Sequence, residues 1–154
     1  MGIYMRQKIN RHKYRFGFIL LCSFLFSIQA VASENANSTA ELGNTYWKLT
    51  ELAGEAVVTA EGQREMKITL RDENKLTGFG GCNSFFGAYE HDGAALSFSQ
   101  LAATRMFCAD VMDKESQFMT SLAAVKSYKI NGQVLQLFDD KDSLLAIFEA
   151  VYLK

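Results

Sequence analysis

The sequence predicts an α+β fold: a curled antiparallel sheet or partial barrel of about seven to eight short strands, with one helix packed across it. Short segments that alternate apolar and polar residues recur along the chain, with turn residues between them. Only one later segment repeats apolar residues every three or four positions, as an amphipathic helix does. The chain has no proline, which suits uninterrupted elements.

Residues 1–32 have the pattern of a cleaved secretory signal. Five basic and no acidic residues lie in positions 1–15, an apolar run occupies 16–28, and Ala30-Val31-Ala32 forms a small-x-small cleavage site. The run is shorter than the roughly 20 residues of a membrane-spanning helix. Cys22 follows two leucines inside the run, so it lacks the small residue that precedes a lipidated cysteine. We expect cleavage after Ala32 and a periplasmic or secreted protein, with outer-membrane association left open.

Loss of this leader makes the chain acidic. All 17 acidic residues but only 11 of the 16 basic residues follow Ala32, so the mature net charge is 11 − 17 = −6. Nucleic-acid binding needs clustered Lys and Arg, so this balance argues against it. The remaining 154 − 32 = 122 residues are enough for one domain with its own core.

The mature chain divides into a tether and a domain. Residues 33–43 are small and polar and predict a flexible tether, and the domain is expected over 44–152. The first strand is predicted at Tyr46–Leu52, where Trp47 is expected to be a core anchor rather than a ligand platform. A weaker strand is predicted at Ala56–Ala60.

Four strands are predicted next, with turns at residues 72–74 and 91–93 and a glycine-rich stretch at 78–89. They are Met66–Leu70, Lys75–Phe79, Phe86–Glu90 and Ala95–Ser99.

One helix and three strands complete the prediction. Asp110 is expected to cap the helix, and Asp113 and Glu115 lie near its positive end. An apolar stripe that would face the sheet is formed by Val111, Glu115, Phe118, Met119 and Leu122. The last strands are predicted at Lys126–Ile130, Val134–Phe138 and Leu144–Val151, with Asn131-Gly132 as a hairpin turn.

Two compact motifs lie in the middle region of the chain. The first overlaps the predicted strands, and the second follows them. The first has the pattern Gly78-x-x-Gly81-Cys82-Asn83-x-Phe85-x-Gly87-x-Tyr89, and the second the pattern Leu101-x-x-Thr104-Arg105-Met106-x-Cys108. Together they resemble the two signature blocks of the META domain, also called the HslJ-like heat-shock family. The resemblance extends over about residues 44–150, nearly the whole mature chain.

The resemblance implies a small α+β domain of a bacterial envelope protein. Members include heat-induced proteins and proteins linked to antibiotic resistance or motility, and no catalytic residues are assigned to the family. We therefore expect no catalytic residue, no metal and no cofactor. The expected function is that of a non-enzymatic, stress-associated accessory module. It would act as a monomer that binds an envelope protein, a peptide or an apolar ligand through the sheet.

Physical roles can be suggested for the motif residues. Gly78, Gly81 and Gly87 suit positive φ angles or close packing. Asn83 suits the cap of a short turn at Ser84-Phe85. Phe86 and Tyr89 are expected in the core, with the tyrosine hydroxyl hydrogen-bonded.

Arg105 lies in a stretch that has no other positive charge, and two roles are open for it. A structural clamp that pairs with a buried acid or with carbonyl groups is favoured over ligand binding.

The mature chain keeps two cysteines, Cys82 and Cys108, one in each motif block. An even number of cysteines in an oxidising compartment favours a disulfide, and the matched blocks strengthen this pairing. Two buried free thiols are the alternative.

A different class of function, a small periplasmic hydrolase or thiol enzyme, would use Cys82 as nucleophile and His91 as base. No third group that would orient the histidine is evident. Zinc bound by both cysteines and His91 would lack the close Cys-x-x-Cys spacing of such sites.

Overall fold

The structure is a computed structural model and describes residues 38–152, so the predicted leader and residues 33–37 of the predicted tether lie outside it. These residues form nine strands and one helix. The elements are β1 (Tyr46–Leu52), β2 (Glu55–Ala56), β3 (Lys67–Arg71), β4 (Lys75–Phe79), β5 (Ser84–Asp92), β6 (Ala95–Ala103), α1 (Met112–Ala124), β7 (Ser127–Asn131), β8 (Val134–Phe138) and β9 (Leu144–Val151).

The strands curl into a ring. All pairings between the strands are antiparallel, in the order β1, β3, β4, β5, β6, β7, β8, β9, and β9 pairs back onto β1. The link between β6 and β7 is a single residue pair, Ala95 with Ser127, and α1 connects these two strands in the chain. The α+β fold and the curled sheet are confirmed. The weak strand predicted at Ala56–Ala60 is reduced to β2, a two-residue arm on β1.

The interior of the ring is filled by side chains of the strands and of α1. The ring of Phe118 on α1 meets Phe85 edge-on at 5.8 Å and lies 6.1 Å from Phe148. Trp47 is fully buried, as expected for a core anchor. Among residues 38–152, no helix has the length and apolar character needed to cross a membrane.

The end of the predicted tether packs on the domain instead of remaining free. Ala40 is buried, and its N–H donates to the carbonyl of Gly132 at 2.8 Å. The indole N–H of Trp47 donates to the carbonyl of Leu42 at 3.0 Å. A buried indole N–H needs an acceptor, so the core itself fixes residues 40–43.

Two local predictions are wrong. The helix begins after Val111, and no side chain caps it, so Asp110 is not the N-cap. Phe86 is 61% exposed, whereas Phe85 is buried. The reason is that β5 begins at Ser84, and alternation along the strand then turns Phe85 inward and Phe86 outward. Tyr89 is buried as expected, and its hydroxyl donates to the carbonyl of Arg71 at 3.1 Å.

Gly78 leaves the space that the ring of Phe85 occupies. The two residues are direct cross-strand partners on β4 and β5. A Cβ atom at position 78 would lie 2.1 Å from Cζ of Phe85, which no side chain tolerates without displacing that ring. Since Phe85 also packs on Phe118, the displacement would spread into the core.

We expect Gly78→Ala to lower the free energy of unfolding by about 1–3 kcal/mol, because an added methyl overpacks the core. The measurement is chemical denaturation of protein expressed from the whole chain. Gly43→Ala is the control, since the nearest atom to its new Cβ is 4.0 Å away, and its effect should stay within about 0.5 kcal/mol. Equal stability of the two variants would contradict this packing.

Candidate functional site

The first motif block binds one carboxylate, that of Glu115 on α1. Its Oε2 accepts hydrogen bonds from the backbone N–H groups of Cys82 at 3.0 Å and Asn83 at 2.6 Å. Its Oε1 accepts one from Nδ2 of Asn83 at 2.7 Å. The residue is only 6% exposed. A carboxylate is tolerated at such a place because hydrogen bonds replace those it loses with water.

Asn83 extends this contact to the second block. Its Nδ2 also donates to the carbonyl of Met106 at 3.1 Å. Its Oδ1 accepts from the hydroxyl of Thr104 at 2.8 Å and from the N–H of Met106 at 2.7 Å. Both donors and both acceptor positions of the amide are therefore in use. We call Asn83, Thr104, Met106 and Glu115 the motif junction. The predicted turn cap is wrong, because residues 84 and 85 continue as β5.

A covalent link reinforces the motif junction. The predicted disulfide between Cys82 and Cys108 is present, with 5.9 Å between the Cα atoms. Two backbone constraints beside the disulfide require glycine. Gly81 has a φ of +107°, which other residues rarely adopt, and a Cβ on Gly80 would lie 2.7 Å from the side chain of Glu115. The glycines of the first block thus allow the chain to pass close to the carboxylate.

Residues 104–108, which we call the apolar loop, carry two large exposed apolar side chains. Phe107 is 82% exposed and Met106 is 57% exposed. The loop is nevertheless fixed, by Asn83 near its start and by the disulfide at its end. Fixed backbone with exposed apolar side chains is suited to contact with another molecule.

Arg105, also in the apolar loop, is not the predicted clamp. Its side chain is exposed and forms no ion pair or hydrogen bond with any residue in the range 38–152. The buried acid that such a clamp would need does exist, as Glu115, but N–H groups already satisfy it.

Two adjoining depressions lie beside the disulfide, with volumes of about 300 and 250 Å³. Cys108 and Phe79 line the first, and Val58 and Met66 line the second. The guanidinium of Arg64 lies 4.0 Å over the ring of Phe79. The residues that line both depressions are Gln63, Arg64, Gly81, Asp110 and Val111. This surface combines apolar side chains with charged groups of both signs, including Arg64 and Asp110.

The structure does not bring together the residues of a thiol enzyme. Cys82 precedes β5 and is held in the disulfide, so it carries no free thiolate. His91 lies near the other end of β5, about 25 Å away at the rise of an extended strand. There it stacks on Tyr89 and lines a separate depression of about 280 Å³. Within residues 38–152 no group of His, Cys, Asp and Glu side chains is arranged to hold a metal ion.

Sequence reasoning missed the role of Glu115, although one signal pointed to it. The residue falls on the apolar stripe of α1, where a charged side chain is out of place unless it has partners. Its place on the stripe and near the positive end of the helix does not identify the partners, because these lie more than 30 residues away in the chain. No sequence pattern indicates that Phe107 is exposed, because its exposure depends on the path of the loop in the folded protein.

We expect Glu115→Gln to destabilise the fold by about 1–3 kcal/mol. An amide has only one oxygen, so its NH₂ group would face either the side-chain amide of Asn83 or the backbone N–H groups of Cys82 and Asn83. Thermal or chemical unfolding measures the loss. Asp113→Asn removes an exposed acid from the same helical turn and should cost only a few tenths of a kcal/mol. If both substitutions have the same small effect, the carboxylate does not organise the site.

Replacing both cysteines by alanine should lower the free energy of unfolding by about 3.5 kcal/mol, because the unfolded chain regains the freedom of a loop that spans 26 positions. Denaturation with and without reductant checks this value. Reductant should weaken the natural protein and leave the variant unchanged. A natural protein that is insensitive to full reduction would contradict the prediction.

Comparisons with known proteins agree with this architecture. The META domain family model matches residues 40–152. The NMR structure of a protein from Burkholderia xenovorans has a TM-score of 0.60 at 22% identity, covering 78% of this chain and 97% of that chain. A second NMR structure has a TM-score of 0.54 at 20% identity, covering 68% of this chain and 87% of its own.

At these identities the solved structures support the fold alone. The comparison with curated proteins gives no match. The family model, in contrast, matches well over half of the chain and includes both motif blocks and the helix that joins them. The chain therefore belongs to the META domain family.

Proposed function

We propose that this chain is an exported binding module that performs no chemistry of its own and engages a partner protein through the apolar loop. The observation that carries the proposal is the exposure of Phe107 and Met106 on backbone that is held from both sides. Binding residues are commonly placed on loops that a rigid scaffold positions. A loop that is already ordered loses little entropy when it binds.

A protein suits this surface better than a small molecule. The depressions, at about 250 and 300 Å³, are at or below the lower end of ligand pockets, which are roughly 300–1,000 Å³. Phe107 projects outward and does not line either of them. An aromatic side chain that protrudes beside shallow hollows fits a partner with complementary hollows and projections.

The alternative, a thiol hydrolase that uses Cys82 and His91, finds less support. It needs a thiolate within reach of a base, whereas the sulfur is in a disulfide and the histidine is at the far end of β5. The accessory role in envelope stress is part of the proposal. Its support is the leader-like sequence of residues 1–32 and membership of the META family.

Site-specific photocrosslinking in cells that express the whole chain tests the proposal. A photoreactive phenylalanine analogue at position 107 should give a discrete covalent adduct with one protein. The same analogue at Tyr152, another exposed aromatic residue (62%), is the matched control and should give none. The adduct should disappear when both cysteines are replaced by serine. Equal adducts from both positions, or none from position 107, would contradict the proposed surface.

If the chain is exported, its leader should be removed, and this can be tested separately. The protein recovered from expressing cells should have the mass of residues 33–154, because the chain is cut after Ala32. Mass spectrometry of the intact protein measures this. Replacing Ala30 and Ala32 by bulky residues should leave the leader attached, since the cleavage site needs small side chains. A natural protein that retains Met1 would refute processing at this site.

A further inference from the structure

Four basic side chains share the outer face of neighbouring strands. Residues directly opposite each other in an antiparallel sheet point to the same side. Lys67 on β3 lies opposite Lys48 on β1 and opposite Phe79 on β4. Arg71 on β3 lies opposite Lys75 on β4, and its side chain follows the same alternation as Lys67.

Arg64 adds a fifth charge, because its guanidinium lies over the ring of Phe79 on this face. We call Lys48, Arg64, Lys67, Arg71 and Lys75 the basic face. Of the 16 Lys and Arg residues, five precede residue 33 and one is Lys154, so residues 38–152 contain ten. The basic face holds half of them, in a mature chain whose net charge is −6.

Carboxylates lie at the edges of the basic face and not within it. The remaining outward residues between its cations, in β1, β3 and β4, are neutral: Tyr46, Thr69, Thr77 and Phe79. At the edges, Glu65 accepts a hydrogen bond from Tyr46, Glu73 pairs with Lys75, and Glu149 lies opposite Lys48. Asp110 lines the same two depressions as Arg64, so at least four carboxylates border the five cations.

This arrangement costs the folded protein stability. Like charges directly opposite each other in a sheet repel, and both Lys48–Lys67 and Arg71–Lys75 are such pairs. Burial and the nearby Arg64 and Arg71 lower the pKa of Lys67 below its usual value. An anionic partner would reduce the repulsion between these cations, so the cluster favours binding of an anionic partner.

We infer that the basic face docks on an anionic lipid bilayer. The face lies on the outside of a ring of strands, so it is convex and can touch a plane. The two depressions beside the disulfide lie at its Arg64 end. Anionic headgroups attract cations that are spread over such a surface. Phe86, 61% exposed and directly opposite Thr77, stands at its border, where a ring can enter the interfacial layer.

Single-stranded nucleic acid fits the same face less well. Its binding relies on free aromatic rings on which bases stack. Here the ring of Phe79 is covered by Arg64, and the ring of Tyr46 has the ammonium group of Lys67 4.1 Å above it. Phe86 alone remains exposed on this part of the sheet, which is too little for a stacking surface.

The test is co-sedimentation of the protein with vesicles of phosphatidylcholine that contain about one-third phosphatidylglycerol, compared with pure phosphatidylcholine. Protein expressed from the whole chain is used in its cell-processed form. The variant Lys67→Gln/Arg71→Gln removes two charges from the basic face. The control Lys126→Gln/Lys141→Gln removes two exposed charges elsewhere, with the same change in net charge.

We expect salt-sensitive binding to the anionic vesicles only, weakened about 25-fold in the Lys67/Arg71 variant, since each basic residue near such a surface contributes about fivefold. The control should bind like the natural protein. Thermal unfolding verifies that both variants fold, and relief of repulsion should leave the Lys67/Arg71 variant at least as stable.

Absence of binding, equal binding to both vesicles, or equal losses in the two variants would overturn the inference. So would salt-sensitive binding of polyglutamate or oligothymidylate through Lys67 and Arg71 without vesicle binding, since the partner would then be an acidic protein or a nucleic acid. The result is independent of the proposed partner protein. The Lys67/Arg71 variant should keep the adduct formed from position 107, and Phe107→Ser should leave vesicle binding unchanged.

Discussion

The carboxylate of Glu115 holds together the parts of the molecule that the chain keeps apart. It joins the helix to the first motif block through two backbone N–H groups, and Asn83 passes the connection to the second block. Burying a carboxylate without hydrogen bonds destabilises a fold. The donors around Glu115 must therefore stay in position to keep these bonds. The glycines and the disulfide around it follow from the same constraint, because the chain must approach the carboxylate closely.

Closure of the ring decides where function can be placed. β9 pairs with β1, and Phe118 of the helix fills the interior that residues 38–152 enclose. We therefore propose two other places for the expected binding. One is the apolar loop, which the motif junction and the disulfide hold in position, and the other is the convex outside of β1, β3 and β4.

Net charge gives an incomplete account of this surface. The mature chain is acidic as a whole, and the sequence alone argues against nucleic-acid binding on that ground. Cross-strand pairing nevertheless places Lys48 beside Lys67 and Arg71 beside Lys75. Because screening limits electrostatic attraction to about 10 Å at ordinary salt, the local arrangement of charge matters more than the sum.

By itself the sequence determined the fold class, the order of elements, most strand bounds and the pairing of Cys82 with Cys108, because these depend on alternation, turn residues and cysteine number. Tertiary structure alone decided which groups satisfy the buried polar atoms. Asn83 binds the second block and Glu115 instead of capping a turn, and residues 40–43 pack to accept the Trp47 N–H. It also turned Phe86 outward and left Arg105 unpaired among the described residues. Local pattern cannot supply such contacts, since each joins residues that are distant in the chain and close only after the ring has formed.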